Sequence, residues 1–297
     1  MQALSRESYA KINLYLEIAG ARADGYHDLD SLMAPIDIYD EISVVENDEL
    51  ILQITGENAQ FLQQDWSKNI IIKAINLLAE KFNFTPKIKI TLKKNIPIAA
   101  GLGGGSSNAA TILELVNQFY NLGASEEDLL KIGLKLGADV PFFVKNKMAF
   151  ASGVGEILQE ANFDCKNQHI LLINPNEKLL TAEVFANFDK KLQKAPQWAK
   201  NETGLLGRNL VDFIKNRRND LESAAIKMEP RIADILQQLK KQQNCHIARM
   251  SGSGASCFGI FGQKEDLDVA YLRLKNYFPN YYLQKTKIIN NEKHKNT

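Results

Sequence analysis

Net charge is the first thing this chain lacks. Its 36 Lys and Arg residues stand against 35 Asp and Glu, a formal charge of +1 over 297 residues. That balance gives no electrostatic reason to expect nucleic acid or an anionic membrane surface as partner. Cysteine is scarce: Cys165, Cys245 and Cys257 are scattered, with neither disulfide-framework nor metal-site spacing, so free thiols in a reducing compartment are expected. No apolar run is long enough to span a bilayer. The N-terminal residues pass into patterned structure with no apolar core of a secretory signal, so a cytoplasmic protein is expected. Two nucleotide signatures are missing as well. No Gly-Lys-Ser/Thr of a Walker A motif occurs. The dinucleotide fingerprint fails because position 106 holds Ser, and Lys93 to Pro97 separate the upstream strand from the glycines.

What is present is an ordinary globular composition, 45% hydrophobic and 24% charged, at a length suited to one large or two medium domains. One stretch dominates it: Pro97, Ile98, Ala99, Ala100, Gly101, Leu102, Gly103, Gly104, Gly105, Ser106 and Ser107. Glycines let consecutive amides converge and let a ligand approach the backbone. Behind them Ala109, Ile112, Leu113, Val116, Phe119 and Tyr120 recur at helical spacing. A helix starting there adds its free N–H groups and the positive end of its dipole, which suits a phosphate chain better than a merely flexible turn.

Read in order, Tyr9–Leu16 alternates as a strand that sets Lys11 and Asn13 opposite the aliphatic face. Lys11 there is either a solvated edge charge or a functional cation. Arg22 to Asp28 carries an Asp-Gly turn signal followed by Tyr26 and His27, which are either a hairpin wall or a recognition pair. Strands are predicted at Glu41–Val45, Leu50–Ile54 and Ile88–Leu92, with a helix over Ile71–Phe82 between the last two. Ser125 and Asp128 resemble a capping box for a helix that ends at Gly137. Asp139 beyond it, among small and apolar residues, is either a turn or N-cap aspartate or a functional acid. Gly153-Val154-Gly155 reads as a hairpin turn, and Thr181 as the cap of a short helix through Phe185 and Phe188. Asp189–Asn201 is a polar excursion. Helices near 209–215, 220–227, 230–241 and 265–278 alternate with strands at 170–173, 246–250, 257–261 and 281–289, and Asn290–Thr297 is a polar tail. Strands and helices mix in both halves, so an α+β fold in two domains is expected, 1–158 and 159–290.

Three separated stretches resemble one family, the GHMP kinases (galactokinase, homoserine, mevalonate and phosphomevalonate kinases). Ala10-Lys11-Ile12-Asn13-Leu14 is similar to the first motif, Pro97–Ala110 to the phosphate-binding second, and Met250–Ala255 to the third, in the right order. Arg22–His27, Gly137–Pro141, Thr181–Phe185 and Asn219–Glu222 point to a member that phosphorylates a cytidylated sugar alcohol on the non-mevalonate route to isoprenoids. Asn108 stands where Asp is frequent, and Ser256 where Thr is common. The resemblance implies an N-terminal domain like that of a ribosomal protein, a ferredoxin-like C-terminal domain, and an active site in the cleft between them. It implies Lys11 and Asp139 as the catalytic pair and Pro97 to Ser107 as the ATP site. ATP comes with Mg2+, for which Ser106 or Ser107 is the candidate contact. Tyr26 and Phe185 are expected to stack a cytosine, His27 to read its edge, and Asn13 and Thr181 to make polar contacts to the acceptor. Homoserine or mevalonate as acceptor is disfavoured because neither carries a base to stack, and a nucleic-acid-binding module of related fold is disfavoured by the balanced charge.

Overall fold

A computed structural model describes residues 3–59, 62, 68–165, 168–188 and 209–289. The polar stretch Asp189–Asn201 and the tail Asn290–Thr297 lie outside the described residues. The chain divides into two compact units. Two long strands, β1 (Ala3–Ala21) and β2 (His27–Glu46), pair with each other and each contributes residues to both units.

The first unit comprises Met1–Ala10, Ile38–Ile98 and Gly103–Asn146. Here Glu41–Glu46 of β2 runs antiparallel to β4 (Ile88–Lys93), and β3 (Ile51–Thr55) lies parallel to β4 on its other side. Parallel neighbours need a crossover, and helix α1 (Ile70–Phe82) supplies it. Asn69 starts α1 by accepting the Ile71 amide at 2.9 Å, and Ile71, Ala74, Ile75 and Leu78 form its buried face. Helix α2 (Gly104–Phe119) is the central one, packed against α1, α3 (Glu126–Leu136) and α4 (Val140–Lys145). Ser125 and Asp128 form the expected capping box of α3. The short α4 is not visible as a period in the sequence. Six residues with Pro141 in the first turn carry too little pattern, yet all but Lys145 are buried.

The second unit comprises Lys11–Asp37, Ala99–Leu102 and the chain from Lys147 onward. Leu29–Met33 of β2 pairs antiparallel with β5 (Ala149–Gly153), which pairs with β6 (Ile157–Glu160) across the predicted 153–155 turn. A second sheet is antiparallel throughout, in the order β10 (Tyr282–Lys287), β7 (His169–Asn174), β9 (Cys257–Phe261), β8 (Cys245–Met250). Helices α5 (Thr181–Ala186), α6 (Leu210–Ile214), α7 (Glu222–Met228) and α8 (Arg231–Lys240) connect β7 to β8, and α9 (Lys264–Tyr277) connects β9 to β10. That strand order, with helical connections after the first and third strands, is the ferredoxin-like arrangement. Leu171, Ile173, Val184, Leu221, Ile235, Leu239, Phe261 and Leu274 share its core. Among the described residues no helix is long and apolar enough to cross a membrane.

The alternation in β1 misleads in one respect. It implies a wet face, but Ser8 through Ile18 are buried without interruption. Thr181 is not the cap of α5 either. Leu180 holds the N-cap position, and the Thr181 hydroxyl is 3.0 Å from that of Ser253.

Candidate active site

The glycine stretch forms a loop whose polar groups are sorted by direction. Its carbonyls are taken: Leu102 O accepts from the Lys11 amide at 3.0 Å, Gly101 O from the Ser251 hydroxyl at 3.0 Å, Ala100 O from the Ser256 amide at 3.3 Å, and Ala99 O from the Leu179 amide at 3.4 Å. Its amides are not. Among the described residues no backbone carbonyl accepts from the N–H groups of Gly101 through Ser106. Gly101 needs its glycine on two counts, a φ of 73° and a Cβ position that would overlap the Ser251 carbonyl. Gly103 takes the N-cap of α2 in the left-handed conformation with no side chain to cap it, and the first turn contains no acidic residue. The donors and the positive end of the α2 dipole are thereby left to an outside anion.

Lys11 is 4% exposed and Asn13 3%, so Lys11 is not a solvated edge lysine. Its ammonium donates to Asn13 Oδ1 at 2.6 Å; Asn13 Nδ2 donates to the Ser31 hydroxyl at 2.9 Å, and Ser31 to the Tyr15 carbonyl at 2.6 Å. The Asn13 amide donates to Ser251 Oγ at 3.2 Å, which ties the first motif to the third. Asn219 fixes the third motif in turn by donating to the carbonyls of Met250 and Gly252, both at 2.8 Å. Behind Asn13 lies a buried charged layer. Tyr15 donates to Asp30 at 2.8 Å, and Arg217 donates to Glu17 at 2.8 Å with its guanidinium 4.3 Å over the Tyr15 ring. Burial raises the Asp30 carboxyl above the usual carboxylate range, against the pull of the Tyr15 hydroxyl and Arg217.

Asp139 belongs to the first unit, in the turn leading into α4. It occupies the N-cap position, but its carboxylate makes no capping hydrogen bond. A purely structural N-cap would show that bond. In the same unit the two candidate serines differ. Ser107 is buried with its hydroxyl 2.8 Å from that of Ser8, whereas Ser106 is half-buried.

The aromatic residues sort less simply than expected. The turn between β1 and β2 is set by Arg22, whose amide donates to the Tyr26 carbonyl at 2.8 Å, and by Asp24, which accepts the Tyr26 amide at 3.1 Å. Tyr26 is 63% exposed, and its ring meets no other aromatic ring among the described residues. His27 packs against Phe185 in a tilted arrangement, with centroids 5.4 Å apart and planes 30° apart, and meets Phe188 edge-on at 5.8 Å. Its Nε2 is buried with no hydrogen-bond partner among the described residues. Such a nitrogen is suited to a polar group brought by a ligand.

A family model for the GHMP kinases N terminal domain matches residues 69–147, and one for GHMP kinases C terminal matches 195–280. A 4-diphosphocytidyl-2-C-methyl-D-erythritol kinase of Alkaliphilus oremlandii is 36% identical over 289 residues, covering 96% of this chain and 97% of its own length. The chain belongs to the GHMP kinase family. A kinase of the same name from a Chelativorans species is 37% identical, with 93% of each chain covered. Among solved structures, a 4-(cytidine 5'-diphospho)-2C-methyl-D-erythritol kinase superposes with a TM-score of 0.77 at 26% identity, over 96% of this chain and 99% of that one. A homoserine kinase from Cytophaga hutchinsonii reaches 0.76 at 18% identity, over 98% and 96%, a likeness of fold alone.

Several polar residues that build the site of this GHMP kinase are not evident in its sequence. Ser8, Ser31, Asp40 and Lys94 are all buried, yet each sits beside charged or polar neighbours that make it look like surface. Ser251 and Ser253 fall inside the third motif, where only the glycines stand out.

Proposed function

We propose that this kinase transfers the γ-phosphoryl group of ATP to the 2-hydroxyl of 4-diphosphocytidyl-2-C-methyl-D-erythritol, as a cytoplasmic enzyme of the non-mevalonate route to isoprenoid precursors. The observation that carries the reading is the loop from Pro97 to Ser107, in which the carbonyls of Ala99 through Leu102 are occupied while the amides of Gly101 through Ser106 are directed to no backbone partner among the described residues. Fixed amides at a helix N-terminus stabilise the charge of a phosphate chain without reorganising during transfer.

Asp139 is the general base in this proposal. It accepts the proton of the acceptor hydroxyl as that oxygen bonds to the γ-phosphorus and the bond to the β–γ bridging oxygen breaks, releasing ADP. Lys11 orients the attacking oxygen, while Asn13 fixes the Lys11 ammonium. Among the described residues no group of three His, Cys, Asp or Glu is placed to hold a metal. The residues fit Mg2+ only as an ion carried mainly by phosphates and water, with one protein hydroxyl. Ser106 would be that contact, since the Ser107 hydroxyl is engaged by Ser8. Neutralisation of phosphate charge is the chemistry such an ion would supply there. Tyr26 and Phe185 flank the cytosine, the unpartnered Nε2 of His27 meets its polar edge, and Thr181 and Asn13 contact the rest of the acceptor.

The test is acceptor-dependent ADP release with the cytidylated methylerythritol, homoserine and mevalonate offered separately. The reading requires the cytidylated acceptor to give the highest kcat/KM. A higher value with homoserine or mevalonate would overturn it.

A further inference from the structure

Within the first unit, next to the residues that lead into the glycine loop, lies a buried ion pair. Asp40 on β2 is fully buried, and Lys94, just past β4, is 3% exposed. The two form a salt bridge. The acceptor positions of Asp40 are divided between the two ends of the loop. Its Oδ1 accepts the amides of Asn95 at 2.7 Å and Ile96 at 2.8 Å, the residues that lead into Pro97. Its Oδ2 accepts from Lys94 and, at 2.8 Å, from Asn108 Nδ2 in the first turns of α2. Lys94 Nζ also donates to Asn108 Oδ1 at 3.2 Å. The Asn108 amide group donates a second bond to Ser8 Oγ at 2.9 Å, and Ser8 holds Ser107. One carboxylate thus joins the chain before the loop to the helix after it.

We infer that Asp40 and Lys94 are positioning residues for phosphate transfer, holding both ends of the Pro97–Ser107 loop so that its amides converge on the phosphates. The inference rests on the phosphate-loop reading proposed above. Stability is a poor reason to keep such a pair, because well-packed apolar residues of the same volume commonly match or exceed a buried ion pair. Nor does the pair act by its field, since its charges cancel within the network. What it supplies is geometry: the carboxylate has four donors, and they come from the strand exit and from the helix start. A loop bearing this many glycines does not hold such a shape by its own backbone preferences.

Burial of the charges makes Asp40→Asn alone a risk to folding, because Lys94 would then be a buried cation without its counter-ion. Two other variants avoid that. Asn108→Ala leaves the ion pair intact and cuts only the link to α2; the double variant Asp40→Leu/Lys94→Met removes both charges together. Binding of ATP and of adenosine is measured by calorimetry in wild type and in both variants, alongside KM for ATP and for the acceptor. ATP affinity is expected to fall on the order of ten- to a hundredfold, the scale of a misplaced reacting group, while adenosine affinity stays within about twofold. KM for ATP rises correspondingly and KM for the acceptor does not. A residue that merely stabilises the fold would lower the melting temperature without changing the ratio of ATP to adenosine affinity. If the folded variants keep the wild-type ratio, the inference is overturned. If wild type itself binds adenosine as tightly as ATP, the phosphate-loop reading falls, and the inference with it.

Discussion

An ammonium buried to 4% exposure within a strand needs partners, and the surroundings of Lys11 are arranged around that need. Asn13 turns its carbonyl oxygen to the Lys11 ammonium because its amide nitrogen is engaged by Ser31, so the orientation of Asn13 is fixed from behind. Asp139, the other proposed member of the pair, sits where an N-cap is expected and does not cap. Asp139→Asn keeps shape and volume and removes the basic oxygen. Turnover is expected to fall about a hundred- to ten-thousandfold, with KM for both substrates near wild type. A folded Asp139→Asn enzyme within a few-fold of wild-type kcat would remove Asp139 from the chemistry. Lys11→Ala is expected to cut turnover by a similar factor. Lys11→Arg should recover little of it, because a planar guanidinium cannot reproduce a compact ammonium. Rates for both Lys11 variants close to wild type, with folding checked by circular dichroism, would leave Lys11 as a structural residue.

The glycines that open α2 look alike in the sequence and are not alike in the structure. A Cβ on Gly104 would stand 3.0 Å from Ile96 Cγ2 and from Lys94 Nζ, so Gly104→Val perturbs packing beneath the loop. A Cβ on Gly105 would meet nothing within 4 Å, and Gly105 is exposed without a positive φ. Gly105→Val is therefore the cleaner probe of the ligand. Its melting temperature is expected to match wild type, since valine is no worse a helix residue than glycine. Its KM for ATP is expected to rise by about tenfold or more, because the side chain enters the space offered to phosphate. Unchanged KM for ATP in this variant would mean that phosphate does not approach the first turn of α2. At this scale much was legible. The α1, α2 and α3 helices, the Ser125 capping box and the 153–155 turn follow from local patterns that tertiary packing does not override. The burial of Lys11, the helix α4 and the Asp40–Lys94 network were not. Each depends on what packs against the residue, and no period in the sequence records that.

Tyr26 and Phe185 come together in one argument only through the whole molecule. One sits in the turn after β1 and the other on α5, each without a spacing that marks it as a site residue. The second unit supplies a reason to consider them jointly: His27, next to Tyr26, packs against the Phe185 ring across 158 positions of sequence. The core behind Phe185, with Val184 and Phe188 packed into the ferredoxin-like unit, holds α5 in place for that contact. The exposed Tyr26 ring then has an open face, and a base bound there would bury both aromatic surfaces. Loss of either ring is expected to cost roughly 1–3 kcal/mol of stacking, by comparison with nucleic-acid sites. That is about a five- to hundred-and-fiftyfold rise in KM for the cytidylated acceptor. KM for ATP should hardly move if its phosphates are held, as proposed, by the loop and the start of α2. His27→Ala should raise the acceptor KM too, and should narrow the preference for a cytidine-linked over a uridine-linked acceptor, since the buried Nε2 no longer meets the base edge. The measurement is KM for each acceptor at saturating ATP in wild type, Tyr26→Ala, Phe185→Ala and His27→Ala. A rise confined to ATP in the aromatic variants would reassign these rings to the donor side. An unchanged ratio between the two bases in His27→Ala would leave that histidine as packing for Phe185 and Phe188 alone.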